Sequence, residues 1–391
     1  MSSIQKVSAE DIPSGSANGP DNQQPLDELW QKVSANIHNA VHQAVESIRS
    51  VSFYPNRSDS DTESSGSPDS FVHFLGILYP SLEDPAFLDD FRSRLWITYR
   101  YSFPPIKPST YTSDVGWGCM LRSGQMLLAS AFVLHYLGRD WRLVNNSDKP
   151  TMTLYSKIVS WFLDSNSSPY SIHRVALLGQ QYDKEIGAWF GPGTISQVLR
   201  TLLHTHRDSR LEIHYCLDGA VYKSDVQATA KSEDDDPEWK PLLLLIPLRL
   251  GVENLNPVYH NALRNCFDIP HCVGIAGGRP NSSVFFIGYQ GSKFIYLDPH
   301  YSRAAVSMKD YNSYTVEDLS SYHCPTVRIM HISNLDPSLV IGFYCRNSLD
   351  FDEFCKHAKK LTRGKTPLFT IAENRPEYPD EVEIVSDPDD M

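Results

Sequence analysis

The stretch Asp114-Val-Gly-Trp-Gly-Cys119-Met-Leu-Arg-Ser-Gly-Gln-Met-Leu-Leu-Ala129 runs a glycine-rich turn into an apolar helix-forming segment, with a cysteine at the junction. The pattern predicts a helix over 119–137 that Gly138 terminates. The first amides of a helix have no partners inside it, and its dipole places partial positive charge there. A thiolate at Cys119 is therefore favoured and its pKa lowered. Downstream, Tyr296-Leu-Asp298-Pro-His300 ends a strand-like run with a carboxylate and an imidazole two residues apart. In an extended chain such side chains point the same way, so Asp298 can orient His300. Taken alone, these residues leave two readings of Cys119 open, a nucleophile or an inert cysteine buried at a helix start.

Composition narrows the function classes. A chain of 391 residues has room for one large domain with extensions or for two modest domains. Seven cysteines at irregular spacing supply no disulfide framework, and the amino terminus has no secretory pattern, so a reducing cytoplasm is expected. The longest apolar run, Leu242-Leu-Leu-Leu-Ile246, is far short of the roughly 18 residues a membrane span needs, and it reads as a buried strand. A net charge of -12 without a basic cluster opposes nucleic-acid binding. The candidate metal ligands Cys266, His271, Cys272, His323 and Cys324 lack the paired spacing of a zinc site, so neither metal nor cofactor is expected.

The chain divides into an N-terminal extension over 1–70, a globular body over 71–361 and an acidic tail over 362–391. Within the extension, Leu26, Leu29, Trp30, Val33, Ile37 and later apolar residues to Val51 recur at helical spacing and predict an amphipathic helix near 26–51. In the body the patterns predict helices over 85–99 and 349–361, and strands over 241–250 and 338–344. A hairpin is expected from 283–289 and 293–297. An acidic surface insertion is expected near 224–240. Helices and strands mix without a regular alternating beat, which favours an α+β fold. Gly277-Gly-Arg-Pro280 reads as a tight turn between strands, since no helix start follows to make it a phosphate loop.

Seven blocks resemble, in order, those of the autophagins, the cysteine proteases that process ubiquitin-like autophagy modifiers. They are Arg94-Leu-Trp-Ile-Thr-Tyr99-Arg, Thr112-Ser-Asp-Val-Gly-Trp-Gly-Cys119-Met-Leu-Arg122, Gly187-Ala-Trp189-Phe-Gly-Pro192 and Pro247-Leu-Arg-Leu-Gly251, followed by Gly277-Gly-Arg-Pro-Asn-Ser282, Tyr296-Leu-Asp298-Pro-His300 and Leu335-Asp-Pro-Ser338. The resemblance implies a papain-like fold with a small inserted subdomain and a triad of Cys119, His300 and Asp298. It implies that Tyr99 contributes to the oxyanion hole and that Trp189 roofs the cleft. It also implies that the loop of Gly277, Gly278, Arg279 and Pro280 moves to admit substrate.

The reaction so implied is cleavage after a glycine near the modifier's carboxyl terminus, and release of the modifier from phosphatidylethanolamine. A monomer touching membranes only through its substrate is expected. The tail motif by which many autophagins dock the modifier, aromatic-x-x-aliphatic, is broken here because Tyr378 has Glu381 at the aliphatic offset. Trp30-Gln-Lys-Val33 fits that motif but lies within the amphipathic stripe. Two other function classes share these residues: another papain-like enzyme such as a deubiquitinase or amidase, and an inactive modifier-binding scaffold.

Overall fold

The computed structural model describes residues 70–143, 149–231, 239–279, 282–361 and 366–376. The amphipathic helix expected near 26–51, the docking candidates Trp30 and Tyr378, and Pro280 all lie outside the described residues. So does the most acidic part of the expected insertion, 232–238.

The described residues begin with the hairpin β1 (Val72–Phe74) and β2 (Ile77–Tyr79), followed by helix α1 (Pro85–Ser93). Asp84 caps α1, its carboxylate accepting from the amides of Ala86 (2.8 Å) and Phe87 (3.0 Å), and Pro85 occupies the first turn, where no amide is needed. The sequence predicts that this helix continues to residue 99, but it stops at Ser93. Arg94 turns extended, and the amides of Trp96 and Tyr99 donate across the fold to the carbonyls of Tyr322 (2.8 Å) and Pro299 (2.9 Å). Trp96, Ile97 and Tyr99 are all buried, which an extended segment sandwiched by neighbours achieves and a one-faced helix does not.

Short strand β3 (Arg100–Tyr101) leads to the central helix α2 (Cys119–Tyr136), then to α3 (Lys149–Ser160), α4 (Ile172–Gly179) and α5 (Pro192–Thr205). Next come β4 (Glu212–Tyr215), β5 (Ala220–Tyr222), helix α6 (Lys223–Ala230) and β6 (Leu242–Arg249). Helix α6 occupies the first half of the expected insertion and buries Val226 and Ala230. A short helix α7 (His260–Asn265) precedes β7 (Cys272–Arg279), β8 (Ser282–Gln290), β9 (Lys293–Leu297) and β10 (Arg303–Ala304). The chain continues through α8 (Val316–Leu319), β11 (Arg328–His331), β12 (Ser338–Cys345), α9 (Ser348–Leu361) and β13 (Thr370–Ala372).

The main sheet runs β11-β9-β8-β7-β12-β6-β4, and β1 joins it on β8. Every pairing in it is antiparallel except β4 with β6. The leucine run of β6 is hydrogen-bonded on both edges and buried on both faces, Ile246 lying opposite Ile341 of β12. On one face α2 lies across β7, β8 and β12. Gly342 permits that approach, since a Cβ there would stand 2.8 Å from Val273 and 3.0 Å from Leu127 of α2. The next residue, Phe343, points to the opposite face, where it meets Phe354 of α9 (4.8 Å) and Phe369 (5.9 Å). The packed body, expected to end at Leu361, thus continues through Phe369 into β13, which pairs with β5. The fold is α+β and papain-like, with the helix that Cys119 begins laid across a largely antiparallel sheet. The segment 149–205 between α2 and β4 is helical in α3, α4 and α5.

Helix α2 is buried all round its first eleven residues, so its polar side chains need internal partners. Arg122 donates Nε (2.7 Å) and Nη2 (3.0 Å) to the two carboxylate oxygens of Asp114, and Nη1 to Asp164 (2.8 Å) and Gln125 (3.1 Å). Gln125 in turn donates to the carbonyl of Tyr170 (2.7 Å). Replacing Arg122 by alanine strands two buried carboxylates, and a loss of about 3–5 kcal/mol in unfolding free energy is expected from urea titration. A loss below about 1 kcal/mol would show that the network contributes no net stability.

Candidate active site

Cys119 is the first residue of α2, following the cap residue Gly118, and is 3% exposed. The turn before it is organised by Asp114, whose carbonyl accepts from the amides of Trp117 (3.2 Å) and Gly118 (2.9 Å). Only glycine fits at 118, because a Cβ would lie 2.3 Å from the Asp114 carboxylate. The same carboxylate accepts the amide of Arg100 (2.7 Å), which ties the cysteine turn to the segment carrying Tyr99.

His300 arrives from the sheet, just past the end of β9. Asp298 Oδ1 accepts both the imidazole Nδ1–H (2.7 Å) and the backbone amide of His300 (3.0 Å). Here the structure corrects the sequence argument. Residues 298–300 have left the strand, and the pair is made by an aspartate folding back on the amide two residues on, not by the alternation of an extended chain. The Asp298 carbonyl is itself held by the indole N–H of Trp96 (2.6 Å).

The other ring nitrogen of His300 reaches Cys119, and it also lies 3.2 Å from Oγ of Ser282. Tyr99 packs edge-on against the His300 ring (5.4 Å, 85°), and its hydroxyl is electrostatically coupled to the Cys119 thiol. So is the backbone amide of Ser283. Cys119, His300, Asp298 and Tyr99, scattered over two hundred residues, thus converge on one point.

The electrostatics follow from these contacts. Burial pushes the Cys119 thiol up, but the hydrogen bond and charge of His300, the Ser283 amide and the Tyr99 hydroxyl outweigh it, leaving the thiol below its ordinary value. Burial likewise pushes the His300 imidazole down, while Asp298 and then Cys119 raise it to about 9. The tyrosine hydroxyl is held far above its usual range, first by burial and then by the charges of Cys119 and Asp114, so it remains a donor. The other six cysteines are all raised by burial, Cys216 and Cys272 to about 12 and Cys355 to about 11. Cys119 alone among the seven is prepared to ionise. A thiolate beside an imidazolium, with a hydroxyl and a helix-start amide nearby, is equipped for acyl transfer.

Other expected residues fall differently. Trp189 is 45% exposed on the segment that enters α5. It is linked towards the cysteine turn through Gly187, which lies against the ring of Tyr111, itself 5.7 Å from the ring of Trp117. Gly277, Gly278 and Arg279 are not turn residues. They belong to β7 and pair with Val284, Ser283 and Ser282 of β8. Both glycines serve close strand approach: a Cβ at Gly278 would meet the Ser282 carbonyl at 2.1 Å, and one at Gly277 would meet Leu339 at 2.8 Å. The end of this hairpin presents Ser282 and Ser283 to the site. Sequence reasoning assigned neither serine a role, although Ser282 closes a motif block. Trp96, Asp114 and Arg122 also stood inside motif blocks without a role, and Asp164 had no signal at all. Among the described residues no cluster of three or more His, Cys, Asp or Glu is placed to hold a metal, and no helix is long and apolar enough to cross a membrane.

The family model for the peptidase C54 catalytic domain matches residues 84–357. The chain is 40% identical over 346 residues to cysteine protease ATG4B of Xenopus laevis, a match spanning 82% of this chain and 88% of that protein. It is 37% identical over 335 residues to cysteine protease ATG4A of Mus musculus, spanning 79% and 83%. A helix-start cysteine met by a sheet-borne histidine, within a fold shared along most of its length with these relatives, places the chain in the peptidase C54 family, the autophagin cysteine proteases.

Proposed function

We propose that the chain cleaves the amide bond after a glycine near the carboxyl terminus of a ubiquitin-like autophagy modifier, both in its precursor and in its conjugate with phosphatidylethanolamine. Cys119 attacks the glycine carbonyl as thiolate. His300, already protonated, gives its proton to the departing amine, and Asp298 holds the ring at the required angle. The Tyr99 hydroxyl and the Cys119 amide receive the oxyanion. Peptide nitrogen and lipid ethanolamine nitrogen leave from the same glycine acyl group, so one thioester intermediate serves both reactions. Water then attacks it with His300 as base. The observation that carries this reading is the convergence of Cys119, at the start of a buried helix, with His300, whose ring Asp298 holds at 2.7 Å.

Ser282 Oγ at 3.2 Å from His300 and the Ser283 amide on the Cys119 sulfur occupy positions that a leaving amine and an acyl group need. Substrate entry therefore displaces the start of β8, which gives the end of β7, with Gly277, Gly278 and Arg279, and the following Pro280 a role in admission. The exposed indole of Trp189 leaves room for a residue without a Cβ and excludes bulkier ones. The enzyme acts as a cytoplasmic monomer that meets membranes only through its lipid-linked substrate, without metal or cofactor.

With a tagged modifier precursor, Cys119→Ala and His300→Ala are each expected to lower turnover by about 10⁴-fold or more. Residual rates within tenfold of wild type, or wild-type cleavage of ubiquitin fusions but not of the modifier, would defeat the proposal.

The active ion pair persists until His300 deprotonates, so kcat/KM should fall on an alkaline limb near pH 9. Asp298→Asn removes the carboxylate that raises His300 and leaves burial to lower it. That limb should move to lower pH, and a pH profile with the limb unmoved would exclude His300 as the titrating group.

Trp189→Ala is expected to weaken discrimination against alanine at the cleavage site by about 10-fold, read as the ratio of kcat/KM for glycine and alanine substrates. An unchanged ratio would remove Trp189 from selectivity.

A further inference from the structure

One indole away from the triad lies a cavity that the proposed reaction does not use. Trp96 donates to the Asp298 carbonyl, and over its ring sits the guanidinium of Arg303, 4.9 Å from the centroid. That guanidinium lines a cavity of about 440 Å³. The walls are mostly apolar, formed by Leu143, Tyr155, Val316 and Pro325, and the exposed residues Val316 and Arg92 mark its open side.

Among the described residues no carboxylate pairs with Arg303. Its Nε is buried without a hydrogen-bond partner, and the charged group that most affects it is another guanidinium, that of Arg100. The remaining polar groups supply no counter-charge. Both nitrogens of His323 are engaged, Nδ1 with the Arg92 carbonyl (2.7 Å) and Nε2 with the Tyr155 hydroxyl, and burial holds this imidazole down to about 4. The Cys324 thiol donates to the Thr326 carbonyl (3.3 Å) and is pushed up by burial, so it too is neutral. The cavity is therefore positive and largely apolar in a chain of net charge -12.

A partly buried guanidinium without an anion is costly, and a ligand carrying one relieves that cost. The walls decide what else the ligand must be. A bare, strongly hydrated anion finds few hydrogen-bonding groups there, whereas an apolar body fills the space, whose size is that of small-molecule sites. We propose that this cavity binds a small ligand with one anionic head on Arg303 and a compact apolar body against Tyr155 and Val316, an aromatic carboxylate in its simplest form.

The test is calorimetric titration of the full chain, with Cys119 blocked by iodoacetamide so that the active site cannot account for binding. The probe is 2-naphthoate, with inorganic phosphate as the head alone and 2-naphthylmethanol as the body alone. Saturable binding of one naphthoate per chain is expected, at least about tenfold tighter than either half-probe. Arg303→Gln should weaken it about tenfold or more by removing the cation. Val316→Trp, which fills the open side and leaves the guanidinium in place, should do the same and decides the matter if the arginine variant does not fold. No saturable binding, phosphate binding as tightly as naphthoate, or naphthoate affinity unchanged in Val316→Trp would overturn the proposal.

Discussion

The contact between Arg122 and Asp114 is the constraint on which the site depends. Asp114 holds the turn that ends in Cys119, accepts the amide of Arg100 beside Tyr99, and takes two bonds from Arg122 one turn into α2. A single carboxylate thus sets the cysteine, the tyrosine and the helix axis in one frame. Charges this deeply buried are costly unless they are paired, and the second carboxylate, Asp164, together with Gln125 adds two further acceptors for the guanidinium. The gain is positional. A sulfur at a helix start has to meet a histidine from another layer of the fold to within a hydrogen bond.

The histidine comes from the sheet, and its position rests on contacts of a different kind. Asp298 folds back on the amide of His300 while Trp96 pins the Asp298 carbonyl, so the turn after β9 is held from both sides. Burial then acts in opposite senses on the two partners, raising the thiol and lowering the imidazole, and is overcome in both cases by the pairing itself. In the other six cysteines, which lack such a partner, burial prevails and the thiol is raised.

The hairpin of β7 and β8 joins sheet and site. Two glycines let its strands approach closely, and its far end delivers Ser282 to His300 and Ser283 to Cys119. Trp96 carries a further connection outward, since its indole holds the Asp298 carbonyl on one side and meets Arg303 on the other.

Local pattern determined much of this protein. A cysteine between a glycine turn and an apolar run, a hairpin ending in Asp-Pro-His, and the β-forming run of Leu242–Ile246 are short-range features, and the corresponding elements form where propensity and periodicity put them. Only tertiary structure decided the rest. Helix α1 stops at Ser93 because the amides of Trp96 and Tyr99 find partners in segments two hundred residues away, and Phe369 is buried because Phe343 and Phe354 offer it a surface. Gly277 and Gly278 look like turn residues until the neighbouring strand and Leu339 show why a side chain is excluded. Asp164, Ser282 and Ser283 gain their roles only from what the fold sets beside them. The physical reason is common to all: backbone preference is local, whereas satisfying a buried charge or amide depends on whichever distant group the packed chain brings within reach.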